Sequence, residues 1–463
     1  MTQITTINPA TEEQIASYDP MSKERVNRLV EKAKRAFPEW KKDLEKRRGY
    51  IYNLVQYLNK NKKKLAEIAT AEMGKTINES ISEVEKCAWA LEFYADHASS
   101  FLSEEILNTD ARKSFITFEP LGVIGSIMPW NFPYWQGLRF AAPCLMAGNT
   151  IIMKPSSITI QCGIEIEKAF LDSGFSEGIF QTLVGSVESA NYLIDSDVSA
   201  LTFTGSTYAG SKVAERSSAN LKKCILELGG SDPFIVLEDA TIDKAAEGAV
   251  KGRFINCGQS CIASKRFFVV KNVADDFIEK FVKKASELKV GDPTKTETDI
   301  GPLSSKESLE TISGIVEDAK EKGADILLGG SEIDGKGYFY QPTIMKNITP
   351  EMRIAKEETF GPVAPITIVD NEREAIRLAN DIEFGLGASI WTENLTKAEQ
   401  LSRKIESGIV SVNNVVISDP RVPFGGIKHS GFGRELSRYG MLEFVNIKSV
   451  RFYENLISHH YVE

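Results

Sequence analysis

Histidine is scarce in this 463-residue chain, with 4 copies, and cysteine is little commoner, with 6. The histidines are His97, His429 and the adjacent His459 and His460, and no spacing among them resembles a zinc site. A hydrolase built on a histidine base would have few candidates, so any catalysis must run on other groups. Long apolar runs are missing too, and none nears the ~20 residues that cross a bilayer. Met1 to Thr5 carry no basic stretch leading into an apolar core, so a cytoplasmic protein with reduced thiols is expected. No block of Lys or Arg occurs, and 55 basic against 64 acidic residues leave a net charge of −9. Nucleic acid and anionic membranes call for a basic footprint and are not expected as partners. Repeats, low-complexity stretches and Pro/Gly/Ser-rich linkers are absent as well. Domains must therefore be woven together rather than strung along the chain.

What is present is ordinary globular material, 42% hydrophobic and 26% charged, long enough for two or three domains. The first hundred residues read as helix. Val26, Leu29, Val30, Ala33 and Phe37 share one face, as do Tyr50, Ile51, Leu54, Val55 and Leu58, and residues 76–101 continue the habit. From residue 115 short apolar runs alternate with amphipathic stretches. Strands at 150–153, 179–184, 201–204 and 224–226 are separated by helices near 160–172, 188–195 and 208–217. The alternation restarts at 234–237 and 266–270, with helices near 274–288 and 306–322, then strands at 326–328 and 365–369. Strands joined by helices imply parallel sheets with right-handed crossovers, and two such segments imply two αβα domains meeting at a cleft.

Several residues could do chemistry there. Cys261 follows a glycine turn in Asn256-Cys257-Gly258-Gln259-Ser260-Cys261, where a thiol and its own N–H can face a cleft. The plain alternative, a buried apolar cysteine, is the commoner fate of such a residue and fits the other cysteines. Glu227 ends an apolar strand before Gly229-Gly230, where a carboxylate can act as a base or merely cap the strand. Asn131, framed by prolines and aromatics in Pro129-Trp130-Asn131-Phe132-Pro133, is either an oxyanion donor or part of a packed turn. Gly205-Ser206 to Gly210 follows a strand and opens a helix, a natural pyrophosphate site although its spacing is not G-x-G-x-x-G. Lys154, Ser156 and Ser157 follow the neighbouring strand and add a cation and two hydroxyls.

The order of these motifs is more specific than any one of them. Pro-Trp-Asn-Phe-Pro, Lys154-Pro155-Ser156, Phe203-Thr-Gly-Ser206, Glu227-Leu-Gly-Gly230 and Gly258-Gln-Ser-Cys261 are followed by Glu357-Glu-Thr-Phe-Gly-Pro362 and Pro423-Phe-Gly-Gly426. Over essentially the whole chain this resembles the aldehyde dehydrogenase superfamily. The resemblance implies Cys261 as nucleophile, Asn131 with the Cys261 N–H as oxyanion hole, and Glu227 as the base for the hydrolytic water. It implies a dinucleotide held by Lys154 and Ser206, with Glu358 at the nicotinamide ribose, Phe360 near the nicotinamide and Trp130 at the junction with substrate. NAD-preferring relatives often carry Glu where this chain has Ser157, so NADP+ preference is expected, NAD+ remaining usable.

Arg139 and Ser418 match carboxylate-binding residues of succinate-semialdehyde dehydrogenases, which implies an anionic aldehyde as substrate. A surface or interdomain ion pair is the alternative for Arg139. A second arginine common in part of that group falls on Ile255, which keeps a small hydroxyaldehyde such as glyceraldehyde or lactaldehyde open. In family terms residues 1–102 and 123–227 form the cofactor domain and 228–426 the catalytic domain. Residues 103–122 and 440–463 form a β element for oligomerisation, with a homodimer or homotetramer expected. Phe115–Phe118 and Val450–Tyr453 read as its edge strands. A Cys acyl transferase or esterase without redox chemistry, and a non-catalytic binding protein, are the competing classes. The Cys257/Cys261 pair also suggests a redox switch.

Overall fold

In a computed structural model, which describes residues 2–453, the two expected sheets are present and each is largely parallel. Strands Val123–Ile127, Thr150–Lys154 and Phe180–Thr182 run outward to one side of the first sheet. Ala200–Thr204 and Lys223–Glu227 run outward to the other. The strand order therefore reverses between Val123–Ile127 and Ala200–Thr204, and a crevice opens beyond the carboxyl ends of those two strands. Alternation along the strands builds two cores. Ile151 and Met153 face the helices Leu44–Met73, Ile77–Phe101, Pro133–Met146 and Ile160–Asp172, whereas Ile152 and Leu201 face Lys23–Trp40 and Val187–Asp195.

The second sheet is centred on Asp232–Val236 and Ser264–Val270, with Val363–Val369 and Thr343–Lys346 to one side and Gly387–Trp391 and Ile409–Val412 to the other. Asp325–Leu328 closes one edge antiparallel. Phe234 and Phe267 point into one core, and Ile235 and Phe268 into the other. The chain then returns to the first sheet, where Gly431–Phe432 pairs antiparallel with Leu226 and Glu227. That return knots the two units together without a linker.

Three expectations need correction. The first hundred residues are not all helix, because Ile4–Ile7 and Gln14–Tyr18 form an antiparallel hairpin. The strand expected at 179–184 shrinks to Phe180–Thr182, the part paired with Ile151–Met153. Phe115–Phe118 is not an edge. It belongs to Lys113–Pro120, which lies between Glu105–Leu107 and Val445–Phe452, so both sides of its backbone are satisfied. Val450–Phe452 does lie on an edge. His459 and His460, with residues 454–463 of the expected oligomerisation element, lie outside the described residues.

Candidate active site

The first sheet sets out the site in a row. Ile127 pairs with Lys154 on one side and Phe203 on the other, and Thr204 pairs with Glu227. Trp130-Asn131, Lys154, Gly205-Ser206 and Glu227 thus issue from the carboxyl ends of four neighbouring strands. The second unit faces them with the loop before Ser264–Val270, which carries Cys261, and the loop before Val363–Val369, which carries Glu358 and Phe360.

The cysteine loop is held in an unusual shape. Asn256, Cys257 and Gly258 have φ of 50°, 55° and 74°, three successive left-handed residues of which only the last avoids a Cβ penalty. Backbone strain of this kind persists only where the surroundings impose it. Here Glu79, from the Ile77–Phe101 helix, accepts the Asn256 N–H at 2.7 Å. Arg253 donates to the carbonyls of Gly258 and Gly361, each at 2.8 Å, and of Ser264 at 3.0 Å, joining the Cys261 loop to the Glu358 loop. A Cβ on Gly258 would stand 2.2 Å from the Gly361 oxygen, so glycine is required for this approach.

Asn131 is buried and tied to the same loop. Its Nδ2 donates to the Gln259 carbonyl at 3.1 Å, and its own carbonyl accepts from Asn256 Nδ2 at 2.8 Å. One amide proton is committed and one remains for an oxyanion. The start of the Pro133–Met146 helix is fixed by Glu83, which accepts the N–H groups of Tyr134 and Trp135 at 2.8 Å each and pairs with buried Lys75. Asn131→Ala should lower kcat about 10²- to 10³-fold with a much smaller change in KM, measured by steady-state kinetics. A rise in KM with kcat unchanged would assign Asn131 to ground-state binding instead.

Burial pushes the Cys261 thiol up to about 11, against the pull of Arg139 and Lys265, so the resting residue is a thiol at neutral pH and needs a base. Lys265 donates to the carbonyls of Ser260 and Cys261 at 2.8 and 2.7 Å and pairs with Glu358 at 3.2 Å. Glu227 is 2% exposed, and neither of its carboxylate oxygens has a hydrogen-bond partner among the described residues. Burial, then the charge of Glu435, raises its pKa well above the usual carboxylate range, while Arg139 and Arg434 oppose the shift. A carboxyl left unpartnered in a buried site is a functional signature rather than a stabilising one. Gly425 makes room for it, since a Cβ there would lie 2.6 Å from Glu227 Oε1.

On the dinucleotide side, Lys154 is buried with no carboxylate within ion-pair distance among the described residues, and burial lowers its pKa to about 8. An unneutralised buried ammonium at a strand end is what a ribose or phosphate would complete. Ser156 and Ser157 follow it, Ser157 exposed. Ser206 caps the Thr207–Ala219 helix by accepting the Ala209 N–H at 3.3 Å, with Gly205 before it. Trp130 and Phe360 meet edge to face, 5.8 Å between centroids. These residues fit a dinucleotide.

Arg139 is 1% exposed and is already engaged: its guanidinium pairs with Glu435 and lies 4.6 Å over the Phe424 ring. The pair lies within the first unit rather than between domains, beside Cys261, and Nη2 of Arg139 has no hydrogen-bond partner among the described residues. Ser418 accepts from Lys86 Nζ at 2.7 Å. Lys86, Glu79, Glu83, Arg253 and Lys265 stand in no motif, and Glu435 stands out only as part of one. Of these only Glu435 had a local signal, its place directly after Gly433-Arg434. Cys257 packs in the core of the second unit while Cys261 packs against the first, and burial drives the Cys257 thiol strongly upward. A thiol so disfavoured as thiolate is a poor exchange partner.

A family model described as the aldehyde dehydrogenase family matches residues 1–450. A probable succinate-semialdehyde dehydrogenase [NADP(+)] of Synechocystis is 47% identical, the match covering 96% of this chain and 99% of the relative. The succinate semialdehyde dehydrogenase [NAD(P)+] Sad of Escherichia coli is 41% identical over 97% and 98% of the two chains. Among solved structures, the succinic semialdehyde dehydrogenase of Streptococcus pyogenes in complex with NADP+ superposes with a TM-score of 0.95 at 37% identity, over 97% of this chain and all of that one.

Proposed function

Because the chain belongs to the aldehyde dehydrogenase family, we propose that it oxidises a short aldehyde carrying a carboxylate, succinate semialdehyde above all, with NADP+ as hydride acceptor. The observation that carries the substrate reading is the charge of one wall. Arg139 and Lys86 stand close enough for the first to depress the pKa of the second, and Ser418 hydrogen-bonds Lys86. Glu435 pairs with Arg139, and Asp419 and Glu83 lie near enough to Lys86 to favour its charge, but neither forms an ion pair with it among the described residues.

In this reading the Cys261 sulfur adds to the aldehyde carbon, and the proton of the thiol passes to a base. The oxygen, becoming negative, is met by the Asn131 amide and the Cys261 N–H. When bound, the dinucleotide supplies the hydride acceptor. Lys154, Ser156, Ser157, Gly205 and Ser206 would hold its adenosine and phosphates, and Glu358, Phe360 and Trp130 its nicotinamide end. The resulting thioester on Cys261 is cleaved by a water whose proton goes to Glu227, releasing the acid and restoring the thiol. Packing alone calls for none of Cys261, Asn131 and Glu227, which weighs against a binding protein. The unneutralised Lys154 weighs against an acyl transferase without a dinucleotide.

For the cofactor, the exposed hydroxyl of Ser157 beside Lys154 accommodates a 2′-phosphate that a carboxylate would repel. The ratio of kcat/KM for NADP+ over NAD+ should be about 10 or more, and Ser157→Glu should invert it. A wild-type preference for NAD+ would overturn this assignment. The same reading takes the enzyme as a cytoplasmic homo-oligomer of two or four subunits. Exposed Ile106, Ile447 and Phe452 on the outer strands of the three-stranded sheet support association there.

A further inference from the structure

Lys265 lies between the nucleophile loop and the loop that carries Glu358. It is the second residue of the strand Ser264–Val270, and its side chain is 1% exposed. An ammonium has three protons, and each of these meets an oxygen. The carbonyls of Ser260 and Cys261 accept at 2.8 and 2.7 Å, and Glu358 Oε1 stands at 3.2 Å. Nζ also lies 5.8 Å from the centre of the Phe360 ring. Glu358 in turn rests against the strand end that carries Glu227. Its Oε1 accepts the Gly230 N–H at 3.1 Å, and a Cβ on Gly229 would stand 2.4 Å from Oε2, so glycine is required there. Glu358 keeps 21% of its side chain exposed, so the carboxylate can still meet a ligand while the ammonium behind it cannot.

Neither packing nor activation of the thiol accounts for this lysine. A buried ion pair is commonly no more stabilising than apolar side chains of the same volume, so packing does not call for one. Nor does the pair deliver charge to the sulfur. The Lys265 ammonium favours the Cys261 thiolate, whereas Glu358 and then Asp232 oppose it. Asp232 is buried within reach of the Lys265 charge, but its Oδ1 accepts from the Gly387 N–H at 3.0 Å rather than from the lysine. What the ammonium does is fix two groups relative to each other, the backbone of the nucleophile itself and the Glu358 carboxylate. Hydride transfer is sensitive to such an arrangement, since a misplacement of about 1 Å can cost ~10²-fold in rate.

We propose that Lys265 is a positioning residue for hydride transfer, holding Glu358 so that the nicotinamide ribose is seated at a set distance from Cys261. This rests on the reading above that Glu358 holds that ribose. The step it serves is loss of hydride, with both electrons of the C–H bond, from the carbon carried on Cys261 as the thioester carbonyl forms. Without Lys265 the Glu358 carboxylate keeps only the Gly230 N–H and can swing into the cleft. The contacts proposed for the adenosine half, on Lys154 and Ser206, belong to the first sheet and do not depend on it. Lys265 therefore bears on the nicotinamide end and little on the other.

The experiment is a double-mutant cycle over Lys265→Gln and Glu358→Gln. It is read by calorimetric titration and by single-turnover formation of reduced dinucleotide from succinate semialdehyde at saturating NADP+. Titration with NADP+ and with 2′,5′-ADP, which lacks the nicotinamide ribose, separates the two ends of the site. Glutamine still donates to a loop carbonyl but carries no charge for Glu358. Lys265→Gln should raise Kd for NADP+ about 5- to 20-fold and leave that for 2′,5′-ADP within about 2-fold. It should slow the hydride step about 10²-fold. Glu358→Gln should do the same, and adding Lys265→Gln to it should change either reading by less than about 2-fold. Losses that multiply in the double variant would show that Lys265 acts on the Cys261 loop without Glu358, and would overturn the proposal. So would a Lys265→Gln protein that matches wild type while Glu358→Gln is impaired. Loss of 2′,5′-ADP binding in Lys265→Gln would assign the lysine to the fold instead. A Glu358→Gln protein that binds NADP+ and transfers hydride like wild type would remove the ribose reading of Glu358 itself, and this inference with it.

Discussion

Replacing Cys261 by alanine is expected to lower aldehyde oxidation by about 10⁴-fold or more while leaving the protein folded and able to bind the dinucleotide. The expectation rests on division of labour. The left-handed turn at Asn256–Gly258 is imposed by Glu79 and Arg253, which use backbone groups and do not touch the thiol. Removing the sulfur therefore removes the nucleophile without removing what shapes the loop. A thermal melt within a few degrees of wild type, together with unchanged quenching of tryptophan fluorescence on titration with NADP+, would separate lost chemistry from lost structure. Cys257→Ala offers the contrast. That thiol is buried in the second unit's core, so the substitution should affect stability by about 1 kcal/mol and turnover little. Comparable inactivation by the two substitutions would contradict the assignment of the nucleophile.

Glu227→Gln is expected to divide the reaction in two. Thioester formation should continue, and its hydrolysis should slow by about 10²- to 10⁴-fold, because an amide cannot take the proton of water. Rapid mixing should then give a burst of reduced dinucleotide of one equivalent per subunit, followed by a slow steady rate. The pH profile adds an independent check. Burial and the neighbouring Glu435 hold the Glu227 carboxyl above its ordinary range, and the active form is the deprotonated one. In wild type kcat should therefore climb with pH above the ordinary carboxylate range, since a raised pKa leaves the base protonated at lower pH. In Glu227→Gln that limb should flatten. A variant that keeps both the slope and the steady rate would show that some other group activates the water.

These expectations were partly legible in the chain itself. The proposed nucleophile, amide and base each sit in a short motif with a glycine or proline that fixes the local turn, and motif order did the rest. The parallel sheets were legible because short apolar runs, buried on both faces, alternate with amphipathic helical ones. What stayed hidden acts across long separations. Arg253 joins loops more than a hundred residues apart, to Thr359 and Gly361, and nothing around it in the sequence sets it apart from a surface arginine. Glu79, Glu83 and Lys86 look like the polar face of an amphipathic helix, and only docking of that helix onto the catalytic loops turns the polar face inward. Arg139 was visible by position, but its partner Glu435 is brought to it by the return of the chain to the first sheet. Strand Lys113–Pro120 seemed an edge because pairing on its second side depends on a segment more than three hundred residues later.

One measurement tests the central claim most directly: the mass of the peptide that carries Cys261, taken after Glu227→Gln protein has been mixed with succinate semialdehyde and NADP+ and quenched. The account predicts a succinyl group in thioester linkage on Cys261, formed with both reagents and not with the aldehyde alone. An unmodified Cys261 peptide after a burst of reduced dinucleotide, a succinyl group on any other residue, or the same adduct formed without NADP+ would contradict it.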